Sequence, residues 1–399
     1  MKPGVRPRVV AARLVGRVVR GGAWSNVVVR ELDLSREDSA LVRYLVYGTL
    51  RNLARLDRAV EQLSHRPLST IEPALLDVLR VAFQEVLFGR AADHAVAHTA
   101  VESARISGHP RGVGFVNALV RALQRQGEPS PPAGISGIFS LADWIVEDLV
   151  STLGEASARA FAEAAHRDAR VTFRMQAGGT PPPGAVPIAV EGAYFDPHGR
   201  VPGGAVVQDP ASLAVVRAVQ VDARDRVLEV GAAPGGKTMA LRDEDPGHLV
   251  AVDIHQRRIR RAQRRTAGSG SGVRWVRADG GRLPFGAATF DRVLVDAPCT
   301  GLGTLRRRPE IRFRASPGDR DRLAALQRRM VEEGLRVVRP GGRVVYAVCT
   351  LTAAETTGVV SGLDGRPPDG LPGLRIQDGL FMAPHLTDTD GMFISVLGR

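Results

Sequence analysis

Cysteine is nearly absent from this chain: 399 residues carry only Cys299 and Cys349. A disulfide framework is excluded, and each thiol needs its own account, as a small buried side chain or as a nucleophile. Lysine is as scarce, since Lys2 and Lys237 stand against 52 arginines among the 54 basic residues. A sequence drawn so far toward arginine that still keeps Lys237 marks a site where a compact ammonium serves and a planar guanidinium does not. Aromatic residues are 5% of the chain, so no base-stacking platform stands out. No apolar run approaches the ~18 residues that suggest a membrane span. Arginines interrupt the N-terminal stretch MKPGVRPRVVAARLVGRVVRGG, which therefore lacks the apolar centre of a secretory signal. These absences predict a cytoplasmic protein with no membrane partner. The net charge of +12 favours a polyanionic partner, nucleic acid first, over a merely solvated basic surface.

Residues 1–126 have the spacing of an all-helical domain. In SREDSALVRYLVYGTLRNL, Leu41, Leu45, Val46 and Leu50 recur at helical intervals behind Ser35, a plausible N-cap. EPALLDVLRVAFQEVLFGR, HAVAHTAVESARISG and GFVNALVRALQRQG each close at a glycine. His94 and His98 lie four apart without a third ligand at metal spacing, which favours a structural role and no metal. GEPSPPAG, 127–134, has linker composition, and 135–200 is a short mixed segment. From 201 to 399 short β-rich runs (RVLEV, HLVAVDI, GVRWVRAD, FDRVLVDAP, GRVVYAVCT) alternate with helical stretches. That alternation predicts a Rossmann-like α/β domain with a mainly parallel sheet, covered on both faces and binding ligands beyond its strand ends.

At those ends stand Glu229, Asp253, Asp279, Asp296 and Cys349. The first strand leads into GAAPGGKT, which satisfies the phosphate-loop pattern G-x-x-x-x-G-K-[ST]. A nucleoside triphosphatase would place Thr238 on Mg²⁺ and use Asp296 as a second metal acid. That reading leaves Asp253, Asp279 and both thiols unused, and several carboxylates repel a triphosphate. A dehydrogenase would share Asp253, but G-x-G-x-x-G is absent. The same acids suit S-adenosylmethionine, a cation. The turn Gly231, Ala232, Ala233, Pro234, Gly235, Gly236 and Lys237 lets the backbone approach it closely. Asp253 then takes the ribose hydroxyls, Asp279 the adenine edge, and Asp296 lies near the methyl end.

Both thiols fall at adjacent strand exits of this crevice. Methylation of carbon 5 of cytosine requires a soft nucleophile, because that carbon is barely nucleophilic. A thiolate adding at carbon 6 makes the ring an enamine that can take a methyl group at carbon 5. Asp296 is placed to hydrogen-bond ring nitrogen 3. The chemistry alone does not rank Cys299 against Cys349. Arg306, Arg307, Arg308, Arg312 and Arg314 follow Cys299 closely and are expected to meet phosphates.

GAAPGGKT, DAPCTGLGTLRRRPEIR, YAVCTLT and PHLTDTDGMF resemble the Sun/Nop2-type family of RNA cytosine-5 methyltransferases. LVYGTLR, DHAVAHTAVESAR and GFVNALVRAL resemble the NusB-type RNA-binding helical domain. Together they are similar to the bacterial members that act on 16S ribosomal RNA, and VQDPASLAVV fits the entry to the catalytic domain. The resemblance implies that Cys349 attacks the base, that Cys299 assists product release, and that Lys237 lies near the cofactor and Asp296. It also implies a cofactor contact for Arg258. This chain has Glu229 where an aspartate is common, Val348 before the nucleophile where a threonine is common, and Thr350 in place of serine. A non-catalytic RNA-binding protein is the remaining alternative, and the presence of both cysteines argues against it.

Overall fold

The computed structural model describes residues 4–30, 32–130, 132–266 and 272–398. Lys2, residue 131 of the expected linker and residues 267–271 therefore lie outside the described residues. The chain forms two compact units. One comprises Met1–Val146 with Arg307–Arg314, the other Glu147–Arg306 with Ala315–Arg399.

The first unit is helical: α1 (Val5–Val19), α2 (Ser25–Val28), α3 (Arg36–Arg51), α4 (Leu53–Ser64), α5 (Pro73–Phe88), α6 (Asp93–Ile106), α7 (Val113–Gln126) and α8 (Gly134–Phe139). Ser35 caps α3 as its sequence predicts, its hydroxyl accepting from the Asp38 N–H at 3.1 Å. Val42, Leu45, Val46, Leu50, Leu79, Phe83, Val120 and Leu123 fill the core. Two buried carboxylates are paired rather than left bare: Glu85 with Arg8, and Asp77 with Arg20 and Arg80. His94 and His98 are exposed on α6.

The second unit continues with α9 (Asp143–Leu153, which straddles the unit boundary) and α10 (Glu155–Ala165). A small antiparallel sheet follows, of β1 (Thr172–Met175), β2 (Val186–Pro187), β3 (Ala193–Phe195) and β4 (Ala205–Val207), in the order β2-β3-β1-β4. Helix α11 (Pro210–Val219) then leads into β5 (Arg226–Val230), α12 (Gly236–Asp243), β6 (His248–Asp253), α13 (Gln256–Thr266), β7 (Val273–Arg277) and β8 (Phe290–Asp296). The short helix α14 (Ile311–Arg314) belongs to the helical unit; α15 (Pro317–Val337) and β9 (Val338–Val348) return to the second. The chain closes with β10 (Leu374–Ile376), β11 (Gly379–Met382) and β12 (Met392–Gly398).

The large sheet has the order β10-β11-β12-β9-β8-β5-β6-β7. Strands β5 to β9 pair in parallel, while β9-β12-β11-β10 pair antiparallel. The strand order reverses between β5 and β8, the point at which a doubly wound sheet opens a crevice beyond its carboxyl ends. Strands β5 and β8 are almost continuously buried, as strands covered on both faces must be.

Candidate active site

Strand β5 delivers the glycine turn to that crevice. The Gly231 and Ala232 N–H groups both donate to the Val252 carbonyl at 2.9 Å, tying the turn to the end of β6. Gly231 has φ +83°, and a Cβ there would lie 2.1 Å from the Asp296 carbonyl oxygen, so only glycine fits. Asp253, the last residue of β6, accepts from the Ala233 N–H at 3.2 Å and the His255 N–H at 2.7 Å. Asp279 lies two residues past β7, exposed, and accepts from the Gly281 N–H at 2.9 Å. Arg258 is exposed on α13.

Lys237, the second residue of α12, reaches across to β8, and its Nζ donates to Asp296 Oδ2 at 2.9 Å. Burial alone would depress this ammonium. The charge and hydrogen bond of Asp296 outweigh it, with Cys349 and Glu229 adding, so its pKa is raised. The chain's single described lysine is thus committed to a carboxylate. Thr238 is fully buried, its hydroxyl turned to the Ala232 carbonyl at 3.4 Å. Neither group is arranged to hold a triphosphate and its Mg²⁺, and the nucleoside triphosphatase reading is set aside.

Glu229 departs from expectation. It is completely buried rather than facing the crevice, and neither carboxyl oxygen has a hydrogen-bond partner. Burial pushes its pKa up to about 8; the nearby Thr238 hydroxyl pulls the other way and the Asp296 charge reinforces the rise. With the hydroxyl turned to Ala232, Thr238 gives little relief, so a neutral carboxyl lies beneath the glycine turn at neutral pH.

The two thiols follow adjacent parallel strands, Cys299 three residues after β8 and Cys349 directly after β9. Their sulfurs are 3.4 Å apart and both side chains are half-buried. The Cys299 thiol is raised well above its usual range by its hydrogen bond to Cys349, by burial, and by the charges of Cys349 and Glu355; the Gly301 N–H opposes this. Cys299 therefore keeps its proton, while in the contact itself either sulfur could donate, and the two thiols stand in different surroundings. The asymmetry has a plain source, because Glu355 faces the Cys299 loop while the Lys237 ammonium acts on Cys349.

The arginines after Cys299 are a correction. Arg306 is buried and pairs with Asp388 at 2.8 Å. Arg314 donates to the carbonyls of Val18, Ala23 and Gly22 at 2.5, 2.6 and 3.3 Å. Arg314 and Arg308 both stack on Trp24, and Arg312 is buried. Glu310, also buried, accepts from the Ser25 N–H and hydroxyl at 2.9 and 2.7 Å. Residues 307–314 belong to the helical unit; Arg306 and Arg312 are withdrawn from solvent and Arg314 is spent on carbonyls, while Arg308 stays exposed and Arg307 half-buried.

Sequence reasoning passes over Gln327, Thr300 and the role of Glu355, all of which converge on the thiol loops. The signal is present in the chain: each cysteine is followed by threonine, at 299–300 and 349–350.

Residues 216–398 match the family described as 16S rRNA methyltransferase RsmB/F, and residues 6–125 match the NusB family. The ribosomal RNA small subunit methyltransferase B of Thermus thermophilus is 33% identical, the alignment covering 92% of this chain and 89% of that protein. The chain belongs to the RsmB/F methyltransferase family. The Serratia proteamaculans protein of the same name is 29% identical over 100% of this chain and 99% of its own. Among solved structures, PH0851 shares the fold at a TM-score of 0.82 and 20% identity, covering 100% of this chain and 99% of that one. NSun6 from Pyrococcus horikoshii, crystallised with SFG, aligns over 65% of this chain and 98% of its own at a TM-score of 0.57 and 18% identity. This RsmB/F chain is thus a NusB-type helical domain joined to a Rossmann-like methyltransferase domain, as the motifs predict. Among the described residues no helix is long and apolar enough to cross a membrane.

Proposed function

We propose that this protein is an S-adenosylmethionine-dependent cytosine-5 methyltransferase acting on 16S ribosomal RNA, with Cys349 as the nucleophile. The observation that carries the reading is the pair of sulfurs 3.4 Å apart beside the Lys237–Asp296 ion pair. One deprotonated thiol in a pair is what addition to a pyrimidine needs, and a second, protonated thiol beside it can serve the later steps.

The residues present fit the cofactor. No atom lies within 4 Å of where a Cβ on Gly236 would stand, so the turn leaves open space at the helix start. Asp253 spends lone pairs on two N–H groups and retains others for ribose hydroxyls. Asp279, exposed, is free to meet the adenine edge, and Gly231 to Lys237 line the space between. Arg258 starts the outer rim of α13. When bound, the cofactor supplies an electrophilic methyl group.

The chain's own residues perform the remaining work. The Cys349 sulfur adds to carbon 6 of the cytosine, and negative charge develops toward ring nitrogen 3. The Lys237 ammonium passes a proton through Asp296 to that nitrogen, which neutralises the developing charge and stabilises the adduct. Carbon 5, now enamine-like, accepts the methyl group. Loss of the carbon-5 proton to a base then allows elimination of the Cys349 sulfur, a release that Cys299 assists. The base must leave its stack to reach the crevice, which favours an unpaired or opened RNA segment.

For RNA contact the geometry favours α13 over the segment after Cys299. Its sequence QRRIRRAQRRT holds no acid. Ile259 and Ala262 are buried, while Arg257, Arg260, Arg261 and Arg264 are exposed at i, i+3, i+4 and i+7. Like charges at these spacings oppose the helix; an RNA backbone would relieve them. The helical domain, read from the sequence as 1–126, adds RNA affinity, with 127–134 read as its linker, 135–200 as the small subdomain and 201–399 as the catalytic domain; the compact helical unit itself runs on to Val146 and takes in Arg307–Arg314.

Two variants test the reading on ribosomal RNA from a strain lacking the enzyme. Cys349→Ala abolishes methyl transfer. Cys299→Ala accumulates covalent protein–RNA species that survive denaturing gels. Full activity in Cys349→Ala, or adducts trapped by that variant instead, refutes the assignment. RNA binding with no transfer by the wild-type protein points to the non-catalytic alternative.

A further inference from the structure

Glu355 is fully buried and carries more hydrogen bonds than any group assigned to the reaction. Its Oε1 accepts from the Thr300 N–H at 2.9 Å and from Gln327 Nε2 at 3.1 Å. Its Oε2 accepts from the hydroxyls of Thr300 at 2.6 Å and Thr352 at 3.1 Å, and the Thr350 hydroxyl lies 3.3 Å away. Thr300 and Thr350 are the residues that follow the two cysteines, and their hydroxyls are 2.8 Å apart. Each hydroxyl has one proton to give. The Thr300 proton goes to Glu355 along the shorter contact, so the Thr350 proton goes to Thr300, and the chain of donors runs Thr350 to Thr300 to Glu355.

The node is braced from behind. Gln327, on α15, also donates to the Pro298 carbonyl at 2.8 Å. The buried Tyr346 hydroxyl, on β9, lies 2.6 Å from the Glu355 carbonyl and 3.0 Å from Gln327 Oε1. Three segments of chain, the loop after β8, the loop after β9 and helix α15, therefore meet at one carboxylate.

We propose that Glu355 is a positioning residue that clamps the two cysteine-bearing loops together through Thr300 and Thr350 and thereby sets the contact between the sulfurs. It touches no reacting atom. The role rests on the reading of Cys349 and Cys299 as the working thiols. A carboxylate suits it because two oxygens can collect four donors, and because its charge sits on the Cys299 side of the pair. The other charged and titratable groups around the pair are Lys237 and Asp296 near Cys349 and the Tyr346 phenol near Cys299.

Glu355→Gln and Glu355→Ala separate clamp from charge. In the glutamine variant the amide oxygen can take the Thr300 N–H and Gln327, and the amide NH₂ faces three hydroxyls that can turn to accept. The clamp survives without the charge. The alanine variant loses both.

The probe is phenylarsine oxide, which condenses with two adjacent thiols, forming two As–S bonds and releasing one water. Intact mass on the full chain counts the bridged adduct. Wild type and Glu355→Gln bridge at rates within about three-fold of each other. Glu355→Ala bridges at least about ten-fold more slowly, the equivalent of one hydrogen bond's net worth, while iodoacetamide still reaches each thiol singly. The glutamine variant also lowers the pH at which Cys299 alkylates in a Cys349→Ala background, a shift that a purely structural carboxylate far from the thiol would not produce. In methyl transfer Glu355→Ala lowers kcat with KM for RNA unchanged, and Glu355→Gln restores most of it. A folded Glu355→Ala protein that bridges at the wild-type rate overturns the proposal. If the alanine variant does not fold, Thr300→Val/Thr350→Val removes the hydroxyl chain at nearly constant volume and faces the same criterion. The arsenical arm needs neither RNA nor cofactor, so its failure is distinct from a failure of the cytosine reading, which the Cys349→Ala transfer assay judges alone.

Discussion

Glu229→Gln is expected to make the protein more stable, and increasingly so with pH. Glu229 is completely buried with neither oxygen hydrogen-bonded, and burial first, then the Asp296 charge, raise its pKa from 4.5 to about 8. A carboxyl whose folded-state pKa is raised contributes stability that is fully present below its unfolded value. That stability is lost as pH rises through the folded value, because the unfolded chain ionises freely while the folded one cannot. At 1.36 kcal/mol per unit the loss is roughly 3 kcal/mol by pH 7 and roughly 5 kcal/mol above pH 8, as an order of magnitude. Glutamine has nearly the same shape and no proton to lose, so the wild-type decline between pH 5 and 9 should flatten in the variant. Urea unfolding followed through Trp275 in a Trp24→Phe/Trp144→Phe background reports this, since Trp275 is the only tryptophan in the Rossmann-like unit and packs near Gly235. A variant whose stability falls with pH as steeply as wild type would refute the argument, and so would one less stable than wild type at pH 9.

Two further outcomes follow from surface and interior arginines. Replacing Arg257, Arg260, Arg261 and Arg264 with alanine should weaken RNA binding and reduce the slope of log affinity against log salt by about 0.7 for each single-strand phosphate that is no longer neutralised. Fluorescence anisotropy across a salt series measures it, and an unchanged slope would remove α13 from the RNA path. Arg314→Ala should destabilise the helical unit by about 2–4 kcal/mol, because it strands carbonyls of Val18, Gly22 and Ala23 and uncovers Trp24. Thermal unfolding read at Trp24 checks this; an unchanged Tm with weakened RNA binding would restore the phosphate role expected of this residue.

The parts of this molecule that are legible in its sequence are those where local pattern and tertiary demand agree. Ser35 reads as an N-cap and caps α3. The strand exits at Val230, Asp253, Asp296 and Val348 fall within a residue or two of where their apolar runs end. The errors have physical causes. The mostly apolar β12, Met392–Gly398, interrupted only by Ser395, has no period that marks it as an antiparallel strand, so the sheet's far edge is not readable. A strand-end position suggests the crevice for Glu229; a strand covered on both faces buries either side of its alternation, and nothing local says which side. Arg306, Arg312 and Arg314 read as surface because charge is usually solvated. The partners Asp388, Val18, Ala23 and Trp24 lie tens or hundreds of residues away, beyond any local pattern.

The same distance explains why the motif segments carry so many small residues. The Gly303 N–H donates to the Cys349 carbonyl at 3.0 Å, and the Gly391 N–H donates to the Gly303 carbonyl at 2.8 Å. A Cβ on Gly303 would lie 2.1 Å from the Gly391 oxygen. Next along, the Asp390 N–H donates to the Asp209 carboxylate, which also caps α11. DAPCTGLG, AVCT, TDTDGMF and VQDP are therefore laced together through main-chain groups and one half-buried capping carboxylate. These main-chain hydrogen bonds bring the segments into register, and the Glu355 node, acting on the two cysteine loops, can then set the final separation of the sulfurs. On the proposed reading the cysteines carry the chemistry of these motifs, and the glycines, threonines and aspartates around them form the frame that holds the two sulfurs 3.4 Å apart.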